Sequence, residues 1–173
     1  GDYAKSNDKN RMLLELVRIL YRHGEAVEGE FSIGFDSSGK MVYTTTSESS
    51  RKRFIADFYG LRSTSDLDDE EGKYPSAITP REMFEKRVTY YGLDKLKDEN
   101  GDLIEITDEE ALGIINIRYT MGFTAYRKYE STTVATNVSK ETMTDVLENS
   151  AELKGVNIDK STIRVYNDSI YFA

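Results

Sequence analysis

The chain contains no cysteine and no tryptophan, a single histidine and only two prolines. Without cysteine there are no thiol nucleophiles, no disulfides and no thiolate-ligated metal sites. That composition suits a bacterial protein outside the membrane, where unpaired thiols are a liability, and excludes no compartment. With one histidine, any Ser-His-Asp arrangement would have to be built entirely on His23. That residue ends a helix-like segment, where a cation is favoured for electrostatic reasons alone. No apolar run is long enough to span a bilayer, and no segment has the form of a signal peptide. Gly1 reads as a cloning remnant, downstream of any anchor. HExxH, Walker A and GxGxxG patterns are missing as well.

What remains is still sufficient for a packed core. Of 173 residues, 38% are hydrophobic and 31% charged, which fits one domain or one domain with a small subdomain. The net charge of −8 is unevenly spread: residues 62–110 carry 15 of the 31 acidic residues and 7 of the 23 basic ones. An acidic middle repels nucleic acid and anionic lipid, which disfavours both as partners. A solvated surface rich in carboxylates accounts for it.

Leu13, Leu16, Val17 and Leu20 recur at helical spacing and predict a helix from about Asp8 to His23. Phe31, Ile33 and Phe35 alternate as a strand, Asp36-Ser37-Ser38-Gly39 is turn chemistry, and Met41-Val42-Tyr43 returns as a hairpin partner. A helix after Ser47 is expected to bury Phe54, Ile55 and Phe58. Residues 62–78 read as a polar, acidic loop that separates subdomains 1–61 and 79–173 within a single module, 1–173. Thr79-Pro80-Arg81-Glu82 and Thr107-Asp108-Glu109-Glu110 have the form of capping boxes, each opening a helix. The first helix would carry Phe84, Val88 and Tyr91 on one face, the second Leu112, Ile115 and Tyr119. Thr132–Thr136 is strand-like, and Ser139 caps a short helix with Met143, Val146 and Leu147. Two strands follow, at Gly155–Ile158 and Ile163–Tyr166. The class is α+β: several amphipathic helices with short antiparallel hairpins.

Sites for chemistry are sparse. Asp66, Asp68 and Glu70 alternate in one acidic stretch, and Asp98, Asn100 and Asp102 in another. A calcium loop of the EF-hand type needs glycine at its sixth position, where these stretches have Glu71 and Leu103. Both therefore read as solvated turns. Asp/Glu pairs for glycoside hydrolysis gain no support in a chain without tryptophan to stack on sugars. Arg118-Tyr119 and Tyr126-Arg127-Lys128-Tyr129 interleave cations with rings, which in an acidic protein reads as packed tyrosines with snorkelling cations. The sequons at Asn137 and Asn167 matter only in a eukaryotic secretory setting, which nothing indicates.

The last third resembles a known module. Tyr126-Arg127-Lys128-Tyr129, Thr133-Val134-Ala135-Thr136-Asn137-Val138-Ser139, Glu148-Asn149, Leu153-Lys154-Gly155-Val156-Asn157-Ile158 and Arg164-Val165-Tyr166 are similar to the N-terminal, non-catalytic pedestal of class B penicillin-binding proteins. The structural motif this carries over is Tyr126, Tyr129, Asn137, Ser139, Gly155, Arg164 and Tyr166. Two positions depart from the pattern: Lys154 and Asn167 stand where proline is usual. The first helix, around Asn10–Leu14, also resembles the family's head subdomain.

The resemblance implies a penicillin-binding-protein dimerisation-domain-like fold and no catalytic, cofactor or metal residues. It implies an extracytoplasmic location, with the parent protein anchored by an N-terminal transmembrane helix. The implied partners are a transpeptidase domain of the same chain and cell-wall synthesis proteins. That domain uses Ser-x-x-Lys, Ser-x-Asn and Lys-Thr-Gly elements. Ser6–Lys9 and Ser49–Lys52 match the first, Lys-Thr-Gly is missing, and the two matches read as coincidence. Two other readings stay open at this point: a small carbohydrate-processing hydrolase using Asp/Glu residues, and a ligand-binding module.

Overall fold

A computed structural model of the chain describes residues 2–69, 71–127 and 129–167. In chain order the elements are α1 (Asp2–Arg22), β1 (Ile33–Phe35), β2 (Met41–Tyr43), α2 (Glu48–Phe58), α3 (Pro80–Tyr91), α4 (Asp108–Gly122), β3 (Ser131–Ala135), α5 (Lys140–Glu148), β4 (Val156–Asp159) and β5 (Thr162–Tyr166). The class is α+β, with helices beside two small antiparallel sheets, β1-β2 and β3-β5-β4. The chain divides into two units, one of Gly1–Glu30 and Val88–Ala173, the other of Phe31–Arg87. Glu70, Lys128, Asp168 and Ser169, which figured in the acidic, tyrosine and sequon patterns, lie outside the described residues.

The first unit is built on α1 and α4. Leu13, Leu16, Val17 and Leu20 are fully buried along α1, as their spacing predicts. The helix starts earlier than that spacing indicates, because its polar first turns find tertiary partners. The Asn7 side chain donates to the Lys97 carbonyl and accepts the Lys97 N–H, both at 2.9 Å. Helix α4 opens on the capping box of Thr107 and Glu110, with each side chain accepting the other residue's backbone N–H. Beyond the expected Leu112, Ile115 and Tyr119, it also buries Ile114, Ile117 and Met121. A helix so apolar around its circumference occupies the middle of its unit. Gly113 permits close approach to α1, since a Cβ there would lie 3.0 Å from Val17 Cγ1.

In the three-stranded sheet β5 is central, and its Ile163 and Val165 are fully buried, as is Val134 of β3. Helix α5 differs from expectation in its buried face. Thr142 and Val146, four residues apart, point inward, whereas Leu147 is 63% exposed. The Thr142 hydroxyl can be buried because it lies 2.9 Å from the Ser139 hydroxyl.

In the second unit, Phe54 of α2 meets Phe31 and Tyr43 edge-on, with ring centroids 5.6 and 6.1 Å apart. The hairpin turn is organised by the Asp36 carboxylate, which accepts from the Ser38 and Lys40 N–H groups at 2.9 Å. Phe58 is only partly buried and is roofed by the Arg87 guanidinium, 4.7 Å from its ring. The 62–78 segment is folded on itself: Asp68 N–H donates to the Tyr74 carbonyl and Asp68 carbonyl accepts from Ser76 N–H, both at 2.8 Å.

The burial pattern predicts an asymmetry. Ile115→Ala should lower unfolding free energy by about 2–5 kcal/mol. Leu147→Ala should change it by no more than about 0.5 kcal/mol. Urea melts followed by circular dichroism would compare the two.

Candidate functional site

Five of the seven motif residues converge on the β3-β5-β4 sheet and its turns, and each secures the backbone. Asn137 leaves β3 with φ 53°, a conformation asparagine tolerates better than most residues. The following Val138 N–H then reaches the Ser161 carbonyl at 3.0 Å. Ser139 is the N-cap of α5, its hydroxyl accepting the Thr142 N–H at 3.1 Å. Its own N–H donates to the Glu25 carboxylate at 3.0 Å. Arg164 faces Asn157 across the β4–β5 pairing and lies 3.5 Å from the Asp159 carboxylate. Tyr166 donates its N–H to the Gly155 carbonyl at 2.9 Å, closing β5 over the turn into β4.

Tyr126 and Tyr129 lie on the approach to β3 and are 74% and 76% exposed. The packed-tyrosine account therefore holds for Tyr119, which is buried edge-on against Phe123, and not for these two. Arg127 sits 5.1 Å over the Tyr126 ring and 3.6 Å from the Glu130 carboxylate, all at the surface.

The two departures at proline have different physical meanings. Leu153–Val156 is a turn closed by the Val156 N–H on the Leu153 carbonyl, at 3.1 Å. Gly155, its third residue, has φ 89°, the left-handed conformation a type II turn requires there. Lys154 holds the second position, where proline is favoured but not needed. Asn167, by contrast, uses groups that proline lacks. Its N–H donates to the Glu130 carbonyl at 2.8 Å, and its side-chain amide donates to Thr124 Oγ1 and carbonyl at 2.5 and 3.1 Å. It ties the end of β5 to the tyrosine-bearing approach segment.

A polar cluster unforeseen in the sequence lies within the first unit. Arg118 of α4 donates to Ser6 Oγ at 3.0 Å, Asn10 Oδ1 at 2.9 Å and the Tyr91 carbonyl at 3.4 Å. Its guanidinium also stacks 4.6 Å from the Tyr91 ring. Asn10, 1% exposed, donates to the same carbonyl at 2.8 Å. Burial pulls the Arg118 pKa down, and burial followed by repulsion from Arg118 does the same to Lys9. The available signal was an arginine flanked by Ile117 and Tyr119 in an otherwise apolar helix.

This cluster also places the first Ser-x-x-Lys match. Ser6 offers its oxygen to a guanidinium, which draws electron density from a hydroxyl that an acyl-transfer nucleophile would need activated. Ser49 is exposed in the first turn of α2, and Lys52 Nζ lies 3.8 Å from Glu48. The acidic stretches are turns. Asp98 Oδ1 accepts from the Asn100 and Asp102 N–H groups, and Asp68 Oδ2 from the Tyr74 N–H. Among the described residues, no group of three or more His, Asp or Glu side chains could hold a metal.

His23, at the end of α1, works as a clip. Its Nε2 lies 2.8 Å from Asp145 Oδ2 on α5, which also accepts from Arg22 Nη1 at 2.8 Å. The His23 hydrogen bond, followed by that of Arg22, holds the Asp145 carboxyl below its ordinary pKa.

Three substitutions test these contacts. Lys154→Pro should raise stability by about 0.4–1 kcal/mol, by restricting the unfolded chain. Asn167→Pro should cost on the order of 2 kcal/mol through several lost hydrogen bonds, with faster amide exchange across 124–132. For Asp145, a depressed folded pKa means stabilisation that is present above the ordinary carboxylate range and lost as pH falls through the folded value. Asp145→Asn should therefore melt below the wild type at neutral pH, and the gap should close on acidification below about pH 4.

The family model described as penicillin-binding protein dimerisation domain matches residues 2–173. No curated protein and no solved structure matched the chain. The match extends the likeness from the last third to both units, and the chain belongs to the penicillin-binding protein dimerisation domain family.

Proposed function

We propose that the chain is the non-catalytic pedestal of a peptidoglycan transpeptidase. It holds a catalytic domain outside the membrane and presents surfaces to proteins of cell-wall synthesis. The observation that carries this reading is the span of the family match, residues 2–173, which takes in both units. The motif residues support it in kind. Asn137, Ser139, Gly155, Arg164 and Tyr166 secure strands, caps and turns, work that makes a rigid support and performs no reaction. In this reading Tyr126 and Tyr129 belong to the same structural motif, and their exposed rings, the acidic stretch 62–78 and the helix opening at Thr79 are the contact surfaces. The module is a single functional piece of 1–173, and its location is extracytoplasmic in a parent anchored by a transmembrane helix. Among the described residues, no helix is long and apolar enough to cross a membrane.

Two measurements test the proposal. The gene's reading frame after Ala173 should encode Ser-x-x-Lys, Ser-x-Asn and Lys-Thr-Gly in that order; a stop codon there would overturn it. A fluorescent penicillin should label the full-length product and leave the 173-residue chain unlabelled. Acylation at Ser6 or Ser49 would make the module an enzyme in its own right.

A further inference from the structure

Of the eight asparagines in the chain, Asn100 is the one followed by glycine. The neighbour matters because an asparagine side-chain carbonyl can be attacked by the backbone nitrogen of the next residue. A bond forms between that nitrogen and Cγ, the Cγ–Nδ2 bond breaks, and ammonia leaves with the backbone proton. Water then opens the resulting succinimide at either carbonyl, giving aspartate or iso-aspartate. The sequence of steps needs no enzyme, oxidant or reductant, and it is one source of the thermal lability of asparagine. Bulk on the following residue hinders it, and glycine offers none.

The other asparagines are held or shielded. The side-chain amides of Asn7, Asn10, Asn116, Asn149 and Asn167 each donate to a backbone carbonyl. Asn137 and Asn157 are followed by the β-branched Val138 and Ile158. Asn100 has neither protection. It is exposed in the turn of a hairpin at 97–104, and among the described residues no hydrogen bond holds its side chain. The turn is fixed through its backbone instead: Asp98 Oδ1 accepts the Asn100 and Asp102 N–H groups at 2.8 and 3.0 Å. Gly101 has φ 84°, with open space where a Cβ would stand. One contact opposes the reaction, since the Gly101 N–H donates to the Asp98 carbonyl at 3.0 Å and its nitrogen must be released before it can attack. A bond in an exposed turn opens far more readily than the unit unfolds.

We propose that Asn100–Gly101 is a site of spontaneous covalent modification, at which the folded chain converts Asn100 to aspartate and iso-aspartate. Either product adds a carboxylate beside Asp98, Glu99 and Asp102. Iso-aspartate also routes the main chain through the side-chain carbon and lengthens the turn by one backbone atom. The Asp98 N–H then loses its 2.9 Å bond to the Asp102 carbonyl. The base of the hairpin stays in place, because Lys97 is pinned to Asn7 of α1 by two hydrogen bonds. This chemistry is independent of the pedestal reading and holds whatever follows the chain.

The test ages the whole 173-residue chain in mildly alkaline buffer below its melting temperature, beside a sample aged in denaturant. Peptide mapping by mass spectrometry follows each asparagine, and an isoaspartate methyltransferase labels iso-aspartate. In the native sample the peptide carrying Asn100 should gain the deamidation mass several-fold sooner than any other asparagine peptide. The denatured sample should react faster still, by the factor that the Gly101–Asp98 bond supplies. Asn100→Gln, a change at an exposed side chain, should remove the methyl label, because glutamine would have to close a larger ring. In the separated iso-aspartyl form, amide exchange should quicken at Asp98 and stay slow along α1. The Asn100→Asp variant, with the charge but not the extra backbone atom, should keep Asp98 slow. Asn100 remaining intact in the native sample while the denatured one reacts would overturn the assignment. So would earlier deamidation at another asparagine, or methyl labelling undiminished in Asn100→Gln. Unaltered Asp98 exchange in the iso-aspartyl form would overturn the change proposed for the turn.

Discussion

The first unit depends on one part-buried guanidinium. Arg118 sits where α1, the end of α3 and α4 meet, and it spends its donors on Ser6, Asn10 and the Tyr91 carbonyl. A cation removed from water is costly unless its donors are satisfied, so the neighbouring helices are constrained to supply acceptors at specific places. Sliding α1 by one turn would move Asn10 by about 5.4 Å, out of reach of both Arg118 and Tyr91. The apolar stripe of Leu13, Leu16, Val17 and Leu20 would tolerate such a slip far better, because hydrophobic burial is non-directional. The stripe supplies the driving force, and the polar cluster selects the register.

Other features of that unit follow from this register. It brings Asn7 against the Lys97 backbone and so places the 97–104 hairpin beside α1. At the other end of the helix it brings Arg22 and His23 to Asp145 of α5. Helix α5 is in turn started by Ser139, whose backbone N–H is held by Glu25 just beyond α1. The only histidine in the chain thereby has a structural role: with Arg22 it closes α1 onto α5 at the Asp145 carboxylate. The motif residues have the same character, since their hydrogen bonds serve turns, caps and strand ends.

Much of this was legible beforehand, and for identifiable reasons. Capping boxes at Thr79 and Thr107, the Ser139 cap and the Asp36 turn are local codes, written within a few residues and read the same way in the structure. The strands from Ser131 to Ala135 and from Thr162 to Tyr166 were visible from β-branched and alternating composition. The early start of α1 was not legible, because Ser6, Asn7 and Asn10 carry no helical periodicity and are held by residues some 90 to 110 positions away. Nor was the inward face of α5. Hydrophobicity favours Leu147, whereas Thr142 is buried because a hydroxyl three residues earlier satisfies it.

By itself the sequence determined the class, the caps, the turns and the family likeness, since each depends on residues close together in the chain. It also placed Asn167, with its backbone N–H and side-chain amide, where proline is usual. The tertiary structure alone decided what those groups do. It set Asn167 against Glu130 and Thr124, placed Arg118 among neutral acceptors and left Tyr126 and Tyr129 in solvent. Each of these joins residues distant along the chain, and such pairings are set by helix register and sheet order, which no local pattern encodes.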